Sequence, residues 1–453
     1  MIDSHIKHYS SFPAPAPIGA AHFDTALEVI ACSKCTEWSR REFELLEFLC
    51  KRIEISRCLY DSYLPSGGRA STTVLDVERS TLALLLLLKD MYRLVDERMF
   101  DSAIKRLNAV LKLLDTPKLR AVSQEIVDLV QASSTRFLQS TAYRGLQEAS
   151  TTPDDEPNPA QETLPITVLF WEGPIARAYL ATLKSMGVRP EKIIQLVSGK
   201  DLASKKPVGR FLPGPLRLAY ACAKQRNSIH HWSGVLQRTE TTLYRNIRSE
   251  IEHAFGIEAK VIDDALALQD LNEYSPAVEQ LLVDDLADER LLQRLSALPE
   301  TQLLFTGGGI VPRRLLELPQ LKFIHIHPGY LPDVRGADCA LWSQLMKGRT
   351  SATCFYMAPG IDDGDVIHPA WLPAIRFQTD ASNIPLKSLY RAVYAFFDPW
   401  IRATVLRQSI VLTKGFSEVD PRPQVEGNSI TYHFMHERIQ LAAFETLFLK
   451  HKA

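Results

Sequence analysis

His325 and His327 stand at alternate positions of a short apolar run, Phe323-Ile-His-Ile-His327, which stops at Pro328-Gly329. In an extended strand, side chains two apart share a face. The two imidazoles therefore point one way, and Ile324 and Ile326 point the other. The proline and glycine put both rings at the carboxyl end of the strand, the edge where ligand crevices form in open α/β sheets. Two histidines there need partners, because a buried imidazole without them costs free energy. Further along, Pro359-Gly-Ile-Asp-Asp-Gly-Asp365 reads as a tight acidic loop leading into Val366 and Ile367. A carboxylate beside a histidine can fix its tautomer and stabilise its charged form, and glycine lets backbone approach a ligand. On residues alone, a His/His/Asp set fits a metal site, an acid–base pair or an incidental loop cluster, and all three stay open.

The elements that must position these groups follow from periodicity. Ile166 to Trp171 is an apolar run of strand length, followed by Glu172-Gly-Pro174 and a helical stretch from about Ile175 to Met186. Further strands are expected at Ile193–Val197, Ala259–Ile262, Leu303–Thr306 and Phe323–His327, with helices between them that include about Leu216–Lys224 and Leu291–Leu298. Strands alternating with helices imply βαβ units and a parallel sheet covered on both faces. Beyond about residue 376, strands are expected at Ser409–Leu412 and Ser429–Phe434, and a final helix from about Glu437.

Residues 20 to about 148 have a different character. A capping box at Ser39-Arg-Arg-Glu42 opens an apolar-periodic run, and helical runs follow at about Asp76–Asp96, Phe100–Leu114 and Lys118–Leu138. The stretch from 150 to 164 is acidic, polar and proline-containing, which is linker composition. The expected organisation is an all-helical domain over 1–149, a linker over 150–164, a catalytic α/β domain over 165–375, and a small α+β extension over 376–453. At 453 residues, several domains are the natural expectation.

Composition narrows the function classes. The chain is 46% hydrophobic and 23% charged, with a formal net charge of -1. That balance argues against nucleic acid as a partner, which draws a basic excess. The longest apolar run, Leu82–Leu88, falls far short of the roughly 18 residues of a membrane span and reads as buried helix. Residues 1–17 lack the pattern of a signal peptide, so the expected location is the cytoplasm without membrane attachment. The seven cysteines include one close pair, Cys32 and Cys35, with Cys50 and Cys58 beyond. No second close pair or histidine pair completes a zinc site, so the thiols read as reduced and no metal is expected.

A resemblance adds to this reading. Leu303-Leu-Phe-Thr-Gly-Gly-Gly-Ile-Val-Pro312, Leu315-Leu-Glu-Leu-Pro319, His325-Ile-His327-Pro-Gly-Tyr-Leu-Pro332-Asp-Val-Arg-Gly336, Ala340-Leu-Trp342 and Gly360-Ile-Asp-Asp-Gly-Asp-Val-Ile367 together resemble the 10-formyltetrahydrofolate-dependent formyltransferases. The family pattern runs Asn-x-His-Pro-Ser-Leu-Leu-Pro-x-x-Arg-Gly, then a hydrophobic residue, Asp, x, Gly. The resemblance implies an α/β, Rossmann-like parallel-sheet formyltransferase domain behind the all-helical N-terminal one. It implies 10-formyltetrahydrofolate as co-substrate. His327 falls on the family's catalytic histidine, as general acid–base, and Asp362 on its aspartate, orienting His327. His325 falls where the family has asparagine. That amide donates to the formyl oxygen, a bond worth about 3–4 kcal/mol, and a histidine N–H is expected to take over the role. Folate-binding positions are expected at Gly307, Gly308, Gly309, Ile310 and Pro312, at Leu331 and Pro332, and at Asp363, Gly364 and Asp365.

The acceptor is expected to be a small-molecule amine. Glu172 at the first βα turn would repel phosphate, which disfavours a purine-pathway substrate. The stretch 200–248 carries ten Lys and Arg against Asp201 and Glu240, with His230-His-Trp232 near its middle. It reads as a solvated helix face, with an anionic acceptor such as a nucleotide-linked amino sugar as the functional alternative. Two rival functions remain: a formyltetrahydrofolate hydrolase, and a non-catalytic folate-binding scaffold. Residues 1–149 fit a bundle that docks a protein partner or a second copy.

Overall fold

The structure is a computed structural model that describes residues 77–115, 124–140, 163–424 and 430–449. The four cysteines from Cys32 to Cys58, the capping box at Ser39 and residues 150–162 of the expected linker lie outside the described residues. The chain forms two compact units, Met1–Tyr143 and Arg144–Ala453.

In the first unit, three helices are described: α1 (Val77–Asp96), α2 (Phe100–Leu114) and α3 (Gln124–Gln139). Leu84, Leu87, Leu88, Met91 and Leu94 recur at helical spacing and are buried, as are Ala103, Ile104, Leu107, Val110 and Leu111 of α2. That stripe is what makes α1 and α2 pack together. Asp90 is buried and held by Arg93 and Arg106, each at 2.8 Å.

The second unit is built on a seven-stranded sheet of order β3-β2-β1-β4-β5-β7-β8. Its strands are β1 (Thr163–Trp171), β2 (Arg189–Ser198), β3 (Val278–Val283), β4 (Thr301–Phe305), β5 (Leu321–His327), β7 (Ser351–Tyr356) and β8 (Val366–Trp371); the short β6 (Val334–Gly336) lies outside it. The first five pair parallel, and β7 and β8 join antiparallel. The sheet is therefore mostly parallel rather than wholly so. β1 begins three residues earlier than its apolar run suggested, and its register shifts between Leu164 and Thr167, around Pro165. A proline lacks the N–H of a regular ladder, and a bulge accommodates it.

The helices between are α4 (Pro174–Ser185), α5 (Gly214–Thr239), α6 (Thr241–Phe255), α7 (Ala259–Leu266), α8 (Glu289–Ser296) and α9 (Arg313–Leu316). After β5 come α10 (Cys339–Lys347), β9 (Phe377–Asp380), α11 (Leu386–Ala392), a π-turn (Val393–Phe397), α12 (Asp398–Leu412), β10 (Ile430–Tyr432), α13 (Glu437–Leu447) and β11 (Phe448–Leu449). α12 lies against α4, β5, β7 and β8, and β10 pairs with β6.

Two expected strands are helices. Ala259–Ile262 opens α7, which buries Val261, Ile262 and Ala265 at helical spacing. The third strand is instead Val278–Val283, an edge strand whose Glu279 and Gln280 blurred its apolar signal. Ser409–Leu412 ends α12, which is buried on nearly every side from Asp398 to Ile410 and so shows no amphipathic period. The expected strand near Ser429–Phe434 and helix from Glu437 correspond to β10 and α13.

Candidate active site

The strand order places β1 beside β4 with β2 and β5 outward of them, so the chain switches sheet direction between β1 and β4. Ligand crevices form at such a switch point, outside the carboxyl ends of the strands. Thr306 closes this end of the pair: its hydroxyl receives the Trp171 N–H at 2.9 Å and its N–H donates to the Leu169 carbonyl at 3.2 Å. The neighbouring β5 carries the two histidines. Ile324 and Ile326 are fully buried, and Arg402 of α12 donates to the Ile326 carbonyl at 2.8 Å. The opposite face carries His325 and His327.

His327 is 2% exposed, with an acceptor at each ring nitrogen. Nε2 lies 3.0 Å from the Val334 carbonyl and Nδ1 lies 3.3 Å from Asp362 Oδ1. The tight passage at Nε2 needs glycine: a Cβ on Gly329 would sit 2.2 Å from the Val334 carbonyl and 2.7 Å from His327 Nε2. Thr353 pins the same turn by donating to the Gly329 carbonyl at 2.7 Å and accepting the Leu331 N–H at 3.0 Å.

Asp362 reaches His327 from the loop between β7 and β8, in a left-handed conformation with φ 49°. Asp tolerates that region better than most residues because its short side chain bonds locally. Its Oδ2 accepts the Gly336 N–H at 2.7 Å. Gln424 steadies the loop by donating to the carbonyls of Asp362 at 2.9 Å and Gly364 at 2.8 Å. Burial pushes the Asp362 carboxyl up, but the charge and hydrogen bond of His327, with the Gly336 N–H, outweigh it and hold it at about 2. A carboxyl free in the unfolded chain titrates near ~3.9. The lowered value contributes stability above that pH, and this is lost as pH falls through about 2. We expect about 2 kcal/mol of acid-labile stability between pH 4 and 2 that Asp362→Asn lacks, read by denaturant unfolding of both proteins at pH 5 and pH 2.

Gly336, the donor to Asp362, has φ 106°, and a Cβ there would lie 2.0 Å from the Tyr432 carbonyl of β10. Gly336→Ala is expected to cost more than about 2 kcal/mol and to pull Asp362 off His327. Thermal unfolding checks the first effect, and an unchanged melting temperature would rule it out.

His325 sits between the rings of Phe305, 5.8 Å away, and Phe355, 6.1 Å away. Its Nδ1 faces the Phe305 carbonyl at 3.2 Å. Burial lowers its pKa to about 4, with the Arg402 charge adding to the effect.

The expected folate-binding residues fall into two groups around the histidines. Gly307 to Pro312 continue from β4; Ile310 is 70% exposed, and Gly308 and Gly309 have open space where a Cβ would lie. Leu331 packs with Phe355 and Val366 beside Met357, next to Pro332, while Asp363, Gly364 and Asp365 lie on the loop that carries Asp362. The side chains of Asp363 and Asp365 are exposed. Among the described residues no hydrogen bond joins Gly308, Gly309 or Ile310 to Asp363, Gly364 or Asp365. The contributions of the Phe305 and Val334 carbonyls and of Arg402 have no local sequence signal.

Two sequence expectations about the surroundings change. Glu172 does not face a ligand: it is buried and bonded to Arg177 at 2.9 and 2.7 Å, with His230 Nε2 at 3.0 Å. Burial pushes its carboxyl up, yet Arg177 and His230 hold it at about 2. His230 is thus turned inward, while Trp232 stays 46% exposed under Arg391, whose guanidinium lies 3.5 Å from the ring centroid. Three of the ten basic residues of the 200–248 stretch are ion-paired: Lys200 with Asp284, Lys224 with Asp201, and Arg248 with Asp263 and Glu252. Among the described residues no group of three or more His, Cys, Asp and Glu is placed to hold a metal, and no helix is long and apolar enough to cross a membrane.

No family model matches the chain. A 94-residue stretch is 34% identical to the methionyl-tRNA formyltransferase of Syntrophus aciditrophicus, covering 20% of this chain and 29% of that protein. An 83-residue stretch is 34% identical to the methionyl-tRNA formyltransferase of Clostridioides difficile, covering 18% of this chain and 26% of that one. The chain therefore spans under a third of the length of these curated relatives. Among solved structures, a sugar N-formyltransferase from Shewanella aligns with a TM-score of 0.33 at 11% identity, over 64% of this chain and 90% of the other. The N-formyltransferase from Helicobacter canadensis, solved with folinic acid and dTDP-3-aminofucose, gives 0.32 at 11% identity, over 62% and 80%.

Proposed function

We propose that this chain transfers a formyl group from 10-formyltetrahydrofolate to the amine of a small molecule, with His325, His327 and Asp362 as its catalytic groups. The observation that carries the reading is the contact of Asp362 with His327, 3.3 Å apart, beside His325 on one sheet face. The local similarity to methionyl-tRNA formyltransferases supports it. In such a transfer the nucleophile bonds to the formyl carbon, the bond to the folate nitrogen breaks, and a proton moves from the nucleophile to that nitrogen. Two imidazoles and a carboxylate provide groups able to carry that proton and to balance its charge.

The folate positions are those on the two loops that flank the histidines. The favoured acceptor is a nucleotide-linked amino sugar. An open groove of about 570 Å³ along α5, lined by Tyr220, Asn227, His231 and Trp232 and by the Lys224–Asp201 ion pair, offers the aromatic and hydrogen-bonding surfaces that the sugar and base of such a molecule use. Calorimetric titration with a non-transferable 10-formyltetrahydrofolate analogue tests the donor half. One-site binding is expected, followed by turnover in a screen of nucleotide amino sugars. Absence of binding removes the folate reading, and formate release without any amine replaces the transferase with a hydrolase.

A further inference from the structure

The polarity of His325 follows from its partner. Nδ1 faces the Phe305 backbone carbonyl at 3.2 Å, and a carbonyl only accepts, so Nδ1 carries the proton. The charged groups around the ring are Arg402 from α12, Asp362 from the β7–β8 loop and His327 from its own strand. Burial and Arg402 keep the ring neutral at ordinary pH and outweigh Asp362. A neutral imidazole with a protonated Nδ1 has a bare lone pair on Nε2. Nε2 has no partner among the described residues and is not sealed from solvent. The flanking Phe305 and Phe355 rings oppose rotation of the imidazole. Gly307 keeps Phe305 in place, since a Cβ there would meet that ring at 2.7 Å. His327 cannot take the same part in this arrangement, because an acceptor occupies each of its nitrogens.

We infer that His325, through Nε2, is the base that takes the proton of the attacking nucleophile, and not an N–H donor to the formyl oxygen. The inference rests on the proposed formyl transfer for its reaction and on geometry for its polarity. As the nucleophile–carbon bond forms, the nucleophile's proton passes to Nε2 and the ring becomes a cation bonded to the Phe305 carbonyl. As the carbon–nitrogen bond to folate breaks, Nε2 returns that proton to the departing nitrogen. No other reactant is needed, and His325 ends the cycle as it began. Asp362 and His327 then hold the loop and the local charge, while the base reaches the nucleophile.

Two measurements on the full chain test this. Nitrogen-15 spectra of histidine-labelled protein at neutral pH, with His325→Asn used for assignment, should show His325 protonated on Nδ1 and bare on Nε2. A proton on Nε2 overturns the inference. With 10-formyltetrahydrofolate and a nucleotide amino sugar that the parent protein formylates, His325→Asn should release tetrahydrofolate about 10²- to 10⁴-fold more slowly than the unsubstituted protein, and added imidazole should restore part of the rate to His325→Ala. Asparagine keeps an N–H donor but cannot take a proton, so a His325→Asn rate equal to the parent's overturns the base role. The two readings separate cleanly. If the parent protein neither binds nor turns over folate while Nε2 is bare, the folate assignment fails and the polarity of His325 stands.

Discussion

Replacing Asp362 with asparagine is expected to cut formyl turnover on the order of 10³-fold while leaving folate affinity within a few-fold. The substitution keeps the shape of the loop, because the asparagine oxygen can still accept the Gly336 N–H that now bonds Asp362 Oδ2 at 2.7 Å. Its amide nitrogen then donates to His327 Nδ1, which the carboxylate now faces at 3.3 Å. The ring can still donate from Nε2 to the Val334 carbonyl at 3.0 Å, so every bond is made. What disappears is the negative charge beside two imidazoles, one of which must become cationic during the transfer. A cation formed in a buried site without a counter-charge raises the barrier. Single-turnover release of tetrahydrofolate in the presence of a nucleotide amino sugar that the parent protein formylates, with analogue binding measured in parallel, separates the rate from the affinity. Turnover within about threefold of the parent would mean that Asp362 only shapes the loop.

How far this site is legible in the sequence depends on the range of the forces that build it. The facing of His325 and His327 is a period-two property of one strand, and five residues of apolar alternation are enough to show it. Asp362 lies on a different loop and is placed by a left-handed turn, so local pattern gives its residue type and only the longer resemblance gives its partner. The carbonyls of Phe305 and Val334, which set the polarity of both rings, are backbone atoms that every residue type carries. No sequence pattern marks them. The same division runs through the fold. The apolar central strands β1, β2, β4 and β5 are readable, whereas the edge strand β3 hides behind Glu279 and Gln280. α12 is buried on so many sides that its last turn imitates a strand. The role of Glu172 is hidden for a related reason: its partners Arg177 and His230 lie five and 58 residues away, and together they make it a buried anchor.

Arg402→Met is expected to destabilise the protein by about 3–5 kcal/mol. Arg402 Nε lies 2.8 Å from Asp398 Oδ2, one turn earlier on α12, and its NH1 donates to the Ile326 carbonyl at 2.8 Å. Asp398 has no exposed surface. Removing the guanidinium therefore strands a carboxylate in an apolar helix interface, and the penalty comes mainly from that orphaned charge. Burial pushes the Arg402 pKa down, but Asp398 and the nearby tyrosines raise it further, so the guanidinium stays charged. The double variant Arg402→Met with Asp398→Leu removes both charges and should recover most of the loss, as denaturant unfolding would show. A loss shared equally by the single and double variants would place the cost in packing instead. The single variant also has a catalytic signature. Arg402 bonds the carbonyl between the two histidines and helps keep His325 neutral, so its removal should move the His325 titration up from about 4. Burial, the larger cause, remains in place and keeps it below the ordinary histidine value. The acid limb of the rate profile should rise with it. A limb that stays where it was, in a folded Arg402→Met protein, would confine Arg402 to holding α12 against the sheet.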